Sequence, residues 1–228
     1  MKNVLNLTVV GKGNLEVEVK RIFNGGYAGR DQELVRGHIE ELGKLGIPAP
    51  TTSPTLYPIS NYLATTSDVV QVQNQESCGE VEYVLIYHDG KCYVTVGSDQ
   101  SDRNLETFSV PKCKQAAPDV LAPEVWDMDE VKDHFEELKL ECYVEKDGEW
   151  IPYQLGKVGD LMTPEEWKDI FAQHDVAKDG HIFFSGTINT VSKDLYFAKN
   201  YRIAIIDDVL NRKITHAYSI DFLPKGIE

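Results

Sequence analysis

The sequence predicts a mixed, β-rich α+β fold with a few short helices. Runs rich in Val, Ile, Tyr and Phe recur along the chain, separated by turn pairs such as Asp89-Gly90 and Asp147-Gly148. Two stretches change to a helical period, "DQELVRGHIEELGKL" and "TPEEWKDIFAQH". With 228 residues, 42% hydrophobic and 10% aromatic, the chain has enough apolar surface for a packed core. One domain is expected over residues 1–228, with N-terminal strands and a helix in 1–48 and a β core in 50–220.

The elements follow in order. "VLNLTVVGKGNLEVEVKRIFNGGY" reads as two strands joined at Gly11-Lys12-Gly13, with a break at Asn24-Gly25-Gly26. From Asp31 to Leu45 the helical period sets Leu34, His38, Glu41, Leu42 and Leu45 along one side, and Gly46 with Pro48 ends the helix. "IPAPTTSPTLYPIS" reads as a proline-punctuated connector, and "DVVQVQ" as a short strand. "NLETFSVPKCKQAAPDVLAPEVW", broken by three prolines, reads as loop. "ECYVEKDGEWIPYQLG" is a hairpin turning at Asp147-Gly148, and Thr163 caps a helix with Pro164 at its first position. "IFFSGTI", "YRIAIID" and "KITHAYSIDF" complete the strands. "IFAQHDVAKDGHI" mimics a calcium loop, but Ala177 and Gly186 stand where oxygen ligands belong, so it reads as a turn before a strand.

A net charge of −14 and a pI near 4.8 argue against nucleic acid and anionic membranes as partners. Cys78, Cys92, Cys113 and Cys142 form no CxxC pair, so reduced thiols are expected rather than a disulfide framework or a zinc knuckle. The first residues lack an apolar leader pattern, and a cytoplasmic protein is expected.

The chemistry concentrates in "EVEYVLIYHDGKCYVTVGSDQSDR", residues 80–103. A turn at Asp89-Gly90 sets His88 opposite Lys91, Glu82 opposite Gly97 and Glu80 opposite Asp99. Side chains alternate along a strand, so Glu80, Glu82 and Asp99 share one face, beside Val84, Ile86 and Val94. Like charges opposite one another on a buried face are costly, so something positive is expected among them. A hard divalent cation, Mg²⁺ or Mn²⁺ with Ca²⁺ as an alternative, suits oxygen ligands. Lysines pairing with the acids, or a register slip turning them to solvent, are the plainer alternatives.

In these residues the chain resembles the fumarylacetoacetate hydrolase superfamily, which has a Glu-x-Glu pair on one strand and a later Asp. Asp99, Ser101 and Arg103 match its Asp-x-Ser-x-Arg segment, "SPTLYPIS" is similar to its Pro-x-x-Tyr segment, and "IFFSGT" is similar to its "TGT" strand. The resemblance covers about residues 50–220, and "GRD … HIEEL" resembles a bacterial branch carrying a domain of unknown function. The sequence departs from the pattern in a short gap between Glu82 and Asp99, in Gln100 where an aromatic residue is common, in Glu106 near the place of a glutamine, and in lacking a lysine at "YPI".

The resemblance implies a mixed β-sandwich roll of that superfamily's kind and a divalent metal held by Glu80, Glu82 and Asp99. It implies a small oxo-acid substrate, a homodimer, and metal-polarised cleavage of a carbon–carbon bond in an acylpyruvate-like compound. A decarboxylase, isomerase or dehydratase on the same metal, and a non-catalytic dicarboxylate-binding module, are the alternatives. His38 and Glu41 are implied to activate water on a helix that forms part of a lid; the plainer reading is a core-facing histidine with a surface glutamate. Lys114, or else Lys112, is implied to hold an oxyanion, with solvated loop lysine as the alternative. Arg103 reaches a substrate carboxylate or pairs with Asp102 or Glu106, while Tyr57, Gly186 and Thr187 line the substrate pocket, Thr187 through its hydroxyl or backbone N–H.

Overall fold

The computed structural model describes residues 2–44, 49–192 and 194–227, with the side chains of His38 and Leu42 outside that description. Strands β1 (Asn3–Val9), β2 (Gly13–Val19) and β3 (Arg21–Gly26) precede helix α1 (Gln32–Lys44). β4 (Thr55–Ile59), β5 (Ala64–Thr65) and β6 (Val69–Val72) lead into a long hairpin, β7 (Ser77–His88) and β8 (Lys91–Asp102). Next come α2 (Arg103–Glu106), α3 (Val110–Gln115), β9 (Asp119–Leu121) and β10 (Glu124–Asp127). A second hairpin, β11 (Lys139–Lys146) and β12 (Glu149–Lys157), precedes α4 (Pro164–Gln173), β13 (His181–Phe184), β14 (Asn200–Asp207) and β15 (Arg212–Phe222).

The strands form two mixed sheets. One runs β2-β1-β10-β8-β7-β13-β3-β4, with β9 paired to β8 and β5 to β9; the other runs β12-β11-β14-β15-β6. β1 with β10, β3 with β13, β5 with β9 and β6 with β15 are parallel, and the hairpins are antiparallel. Both long hairpins turn where the sequence places them. Asp89 and Gly90 have φ of 48° and 74°, and Asp147 and Gly148 have 53° and 84°, the left-handed conformations a two-residue hairpin turn requires.

Alternation along β7 divides the core. Val81, Tyr83 and Leu85 face the second sheet and α4, where Tyr83 and Phe183 meet Phe135, Trp167 and Phe171. Val84 and Ile86 face the interior of the first sheet with Ile22, Leu121, Ile182 and Phe184. Glu82 and Glu80 continue that inner line, so the acids stand at one end of an otherwise apolar interior. Val94 lies on the opposite face, opposite Leu85; Tyr93 and Thr95 stand beside Ile86 and Val84 instead. The side-chain period of 2 requires this arrangement once the register is set.

Other segments depart from the sequence reading. β3 runs through Asn24-Gly25-Gly26, where a break was expected, because its pairing with β4 and β13 overrides the turn propensity of that triplet. The connector holds β4, and the proline-rich stretch after Arg103 holds α2, α3, β9 and β10. Among the described side chains of α1 the buried apolar residue is Val35, whereas Leu34 is 70% exposed. Asp31 caps this helix by accepting from the N–H groups of Glu33 and Leu34, and Arg30 pairs with Glu136 and Glu166. The turn before β13 is held by Lys178 on Asp175 and Lys20 on Asp179. Among the described residues no helix is long and apolar enough to cross a membrane.

Gly97 shows how closely the first sheet folds over its interior. It lies opposite Glu82, and a Cβ there would sit 2.6 Å from side-chain atoms of Phe184 and Val84 and 2.8 Å from the Val120 carbonyl. Gly97→Ala is expected to cost about 2–3 kcal/mol by overpacking, read as a lower denaturation midpoint with the m-value unchanged.

Candidate metal centre

The hairpin register brings three acids together. Glu80 lies opposite Asp99 and Glu82 opposite Gly97, and one carboxylate oxygen from each of Glu80, Glu82 and Asp99 lies within 4.8 Å of the others. Glu82 and Asp99 are 1% and 0% exposed, and Glu80 is half-buried. Each is held by a different part of the chain. The Gly186 N–H donates to Glu82 Oε2 at 2.9 Å, from a residue with φ of 83° just beyond β13. Ser101 Oγ donates to Asp99 Oδ1 at 3.3 Å. Arg103 Nη2 lies 2.7 Å from Glu80 Oε1.

Asp102 explains why Arg103 is in reach. Its side chain accepts from the N–H groups of Asn104 and Leu105, which ends β8 and starts α2. Arg103 therefore begins the helix and folds back, its Nη1 donating to Glu106 at 2.9 Å and its Nε to Cys78 Sγ at 2.9 Å. Burial works against this guanidinium, but Glu80, Cys78 and Glu106 hold its pKa well above the ordinary value. Of the two expected acid partners, Glu106 pairs with Arg103 and Asp102 caps the helix.

α3 supplies the second cation. Lys114 is 7% exposed and its Nζ pairs with Asp99 Oδ2. Burial opposes its charge, yet Asp99, Glu80 and Glu82 raise its pKa well above the ordinary lysine value. Lys112 instead lies over the Phe108 ring, 4.8 Å from its centroid. The plainer alternative, lysine pairing with the acids, is thus present at Asp99.

A fourth acid escaped the sequence reading. Asp119 pairs directly across from Asp99 in the ladder between β9 and β8 and is 0% exposed. Asn24 Nδ2 donates to Asp119 Oδ1 at 3.3 Å, while Asp119 Oδ2 and Asn24 Oδ1 are buried without a hydrogen-bond partner among the described residues. "PDVLAP" carried the available signal, an acid opening a short apolar run, but its prolines read as loop.

The remaining candidates are placed as follows. Thr187 Oγ1 donates to the Val81 carbonyl and accepts from Gln154, so its hydroxyl is engaged by the scaffold. Tyr57 is half-buried on β4, opposite Asn24. Glu41 is exposed on α1 and makes no hydrogen bond or ion pair among the described residues, and the His38 side chain lies outside them. Gln100 turns to the other face, where it bonds Ser77 and Tyr218. Cys78, Cys113 and Cys142 are buried free thiols, and Cys92 is a half-buried one.

The donor set fits a hard divalent ion. Five carboxyl groups, those of Glu80, Glu82, Glu106, Asp99 and Asp119, face the two cations Lys114 and Arg103. Glu82 has no ion-pair partner among the described residues. Burial first, and then the charge of Asp99, push the carboxyls of Glu82 and Asp119 well above their ordinary values of 4.5 and 3.8.

The native state therefore holds more protons than the unfolded chain once pH rises past those ordinary values. Stability from these groups is complete below that range and falls as pH rises towards the raised native values. Loading a cation releases the protons, so Mg²⁺ affinity is expected to rise with pH. Titration calorimetry in two buffers of different ionisation heat is expected to show proton release; identical heats in both would contradict it.

The comparisons agree with this fold. The family described as a protein of unknown function, DUF2848, matches residues 25–218. No curated protein matches the chain. Among solved structures, a 2-keto-3-deoxyarabinonate dehydratase superposes with a TM-score of 0.65 at 16% identity, over 91% of this chain and 75% of that one. A 2-keto-3-deoxy-D-arabinonate dehydratase complexed with magnesium and 2,5-dioxopentanoate gives 0.61 at 16% identity, over 94% and 78%. The 4-oxalocrotonate decarboxylase of Pseudomonas putida G7, complexed with magnesium and adipate, gives 0.56 at 13% identity, over 87% and 77%. The shared architecture is a mixed β-sandwich roll with a few short helices, as the sequence resemblance implied. With that fold, and with the match spanning most of its length, the chain belongs to the DUF2848 family.

Proposed function

We propose that the chain is a divalent-metal-dependent enzyme acting on a small 2-oxo acid, and a lyase of the dehydratase or decarboxylase kind. The meeting of Glu80, Glu82 and Asp99 within 4.8 Å, with the ammonium of Lys114 beside them, carries this reading. When bound, a divalent ion such as Mg²⁺ supplies Lewis-acid polarisation of a chelated carbonyl. Glu80, Glu82 and Asp99 hold the ion, and Arg103 and the Gly186 N–H fix the angles of Glu80 and Glu82. Lys114 brings a buried positive charge to the place where negative charge develops on the substrate, and holds a proton at Nζ. The apolar interior beyond Glu82 keeps bulk water from that end of the site.

A lyase is favoured over a hydrolase because Glu41 is exposed and without a partner among the described residues. Of the water-activating pair expected on α1, Glu41 is the member whose side chain is described, and it makes no contact with the acids among the described residues. The dehydratase and decarboxylase names of similar structures support the same choice. One observation favours the hydrolytic reading with an acylpyruvate-like substrate: among the described residues the polar anchors of α1 lie at its first turn, through Arg30 and Asp31, as suits a helix that forms part of a lid.

Assays with Mg²⁺ separate the two. A 2-keto-3-deoxy sugar acid and oxaloacetate test loss of water and of carbon dioxide, and an acylpyruvate tests hydrolysis. Magnesium-dependent loss of water or carbon dioxide that survives His38→Ala is expected. Cleavage of the acylpyruvate alone, abolished by His38→Ala, would overturn the lyase reading, and binding of a dicarboxylate without turnover would favour a binding module.

A further inference from the structure

Tyr27 stands between β3 and α1 with φ of 54°, a left-handed backbone that a bulky side chain rarely adopts. The other non-glycine residues described with positive φ, Asp89, Asp147, Asp175, Ala177 and Asn211, lie in connections that lead into a strand. Strain of this kind persists where the surroundings hold it, and it concentrates at ligand sites. Here the hold comes from both neighbours. A Cβ on Gly186 would meet the Ala28 Cβ at 3.2 Å and the Gly25 carbonyl oxygen at 3.3 Å, and the Gly186 N–H bonds Glu82. The phenol lies towards β4 and α3, faced by Tyr57, Glu106, Lys114 and Cys113. That face of β4 looks on the acids: Tyr57 is opposite Asn24, Asn24 bonds Asp119, and Asp119 is opposite Asp99. A Cβ at Gly26 would come within 2.9 Å of the Tyr57 ring, so that ring lies over the residue before Tyr27. Thr55 shares the face of Tyr57, and its Oγ1 is buried without a hydrogen-bond partner among the described residues. The phenol oxygens of Tyr27 and Tyr57 make no hydrogen bond among the described residues either. Three hydroxyls on this side of the site are thus left over by the scaffold.

Resting on the proposed metal-dependent oxo-acid enzyme, we infer that Tyr27 sets substrate specificity by donating a hydrogen bond from its phenol to a hydroxyl group on the tail of the 2-oxo acid. The substrate class is then a hydroxylated 2-oxo acid, neither a plain aliphatic one nor a dicarboxylate. Burial first, and then Tyr57 and Glu106, push the phenol up to about 12, so its proton is in place at neutral pH. Glu106 faces the same point and disfavours a second carboxylate there. A neutral hydroxyl, by contrast, accepts from Tyr27 and has its own proton to give to Tyr57 or Thr55. The left-handed residue turns its ring towards α3 while Ala28, next along the chain, stays in the core.

Three unreactive acids test this by calorimetry on the full chain loaded with Mg²⁺. 2-Oxopentanoate, 5-hydroxy-2-oxopentanoate and 2-oxoglutarate share one carbon chain and differ only at its far end. The wild type is expected to bind the hydroxy acid about tenfold more tightly than 2-oxopentanoate, and 2-oxoglutarate no more tightly than 2-oxopentanoate. Tyr27→Phe removes one oxygen and keeps the ring and the backbone. It is expected to lose most of that preference while its melting temperature and its affinity for 2-oxopentanoate stay unchanged. A preference that survives Tyr27→Phe, equal binding of the three acids by the wild type, or a preference for 2-oxoglutarate would each overturn the inference. So would an equal loss of affinity for all three acids in Tyr27→Phe, which is what a merely structural tyrosine gives. If the wild type with Mg²⁺ binds none of the three, the oxo-acid reading itself fails, an outcome distinct from binding without preference.

Discussion

Glu82→Gln is expected to raise the melting temperature of the ion-free protein and to erase the further rise that Mg²⁺ gives the wild type. Glu82 is 1% exposed, accepts one N–H from Gly186, and has no ion-pair partner among the described residues. Its carboxyl is pushed well above the ordinary value by burial and by Asp99, so without an ion it costs stability at neutral pH. The amide keeps the shape and an oxygen for the Gly186 N–H while removing that cost. With Mg²⁺ at a hundred times its dissociation constant, the wild type gains about 2.7 kcal/mol, roughly 5–10 °C for a chain of this size, and the variant gains almost none. Turnover is expected to fall at least about 10²-fold with loss of the Lewis acid. Differential scanning calorimetry with and without Mg²⁺ reads both signs; an ion-free variant that melts below the wild type would show that Glu82 is already well paired.

Lys114→Met is expected to act in the reverse sense. It leaves Asp99, which is 0% exposed, without a cation partner among the described residues, and removing one partner of a buried pair typically costs about 3–5 kcal/mol. The ion-free variant should melt roughly 10 °C lower, while Mg²⁺ binds it more tightly because a neighbouring positive charge no longer repels it. Turnover is nevertheless expected to drop about 10²–10³-fold, since the positive charge facing the substrate is gone. Tighter metal binding together with slower turnover separates this role from simple loss of fold.

How much of this was legible in the sequence depends on how local the determinants are. The hairpin of residues 80–103 could be read in register because Asp89-Gly90 fixes the turn and a period of 2 does the rest, which is why Glu80, Glu82 and Asp99 could be grouped. α4 was equally legible, since Thr163, Pro164 and Glu166 specify its start without help from distant residues. Asn24 and Asp119 were not. Their segments carry turn formers and prolines, and they become strands only because β13 and β8 present partners from far along the chain. α1 shows a third case: its period was clear, but which side faces the core depends on Gly29, where Val35 packs, rather than on the apolar count that favoured Leu34. The choice of Lys114 over Lys112 likewise follows from how α3 is seated against β8, which spacing alone does not set.

In the proposed function Glu80, Glu82 and Asp99 hold a divalent ion. Anomalous diffraction from crystals grown with Mn²⁺ tests it most directly. A peak bonded to all three carboxylates is the expected result; a featureless map there at millimolar Mn²⁺ would overturn the metal site.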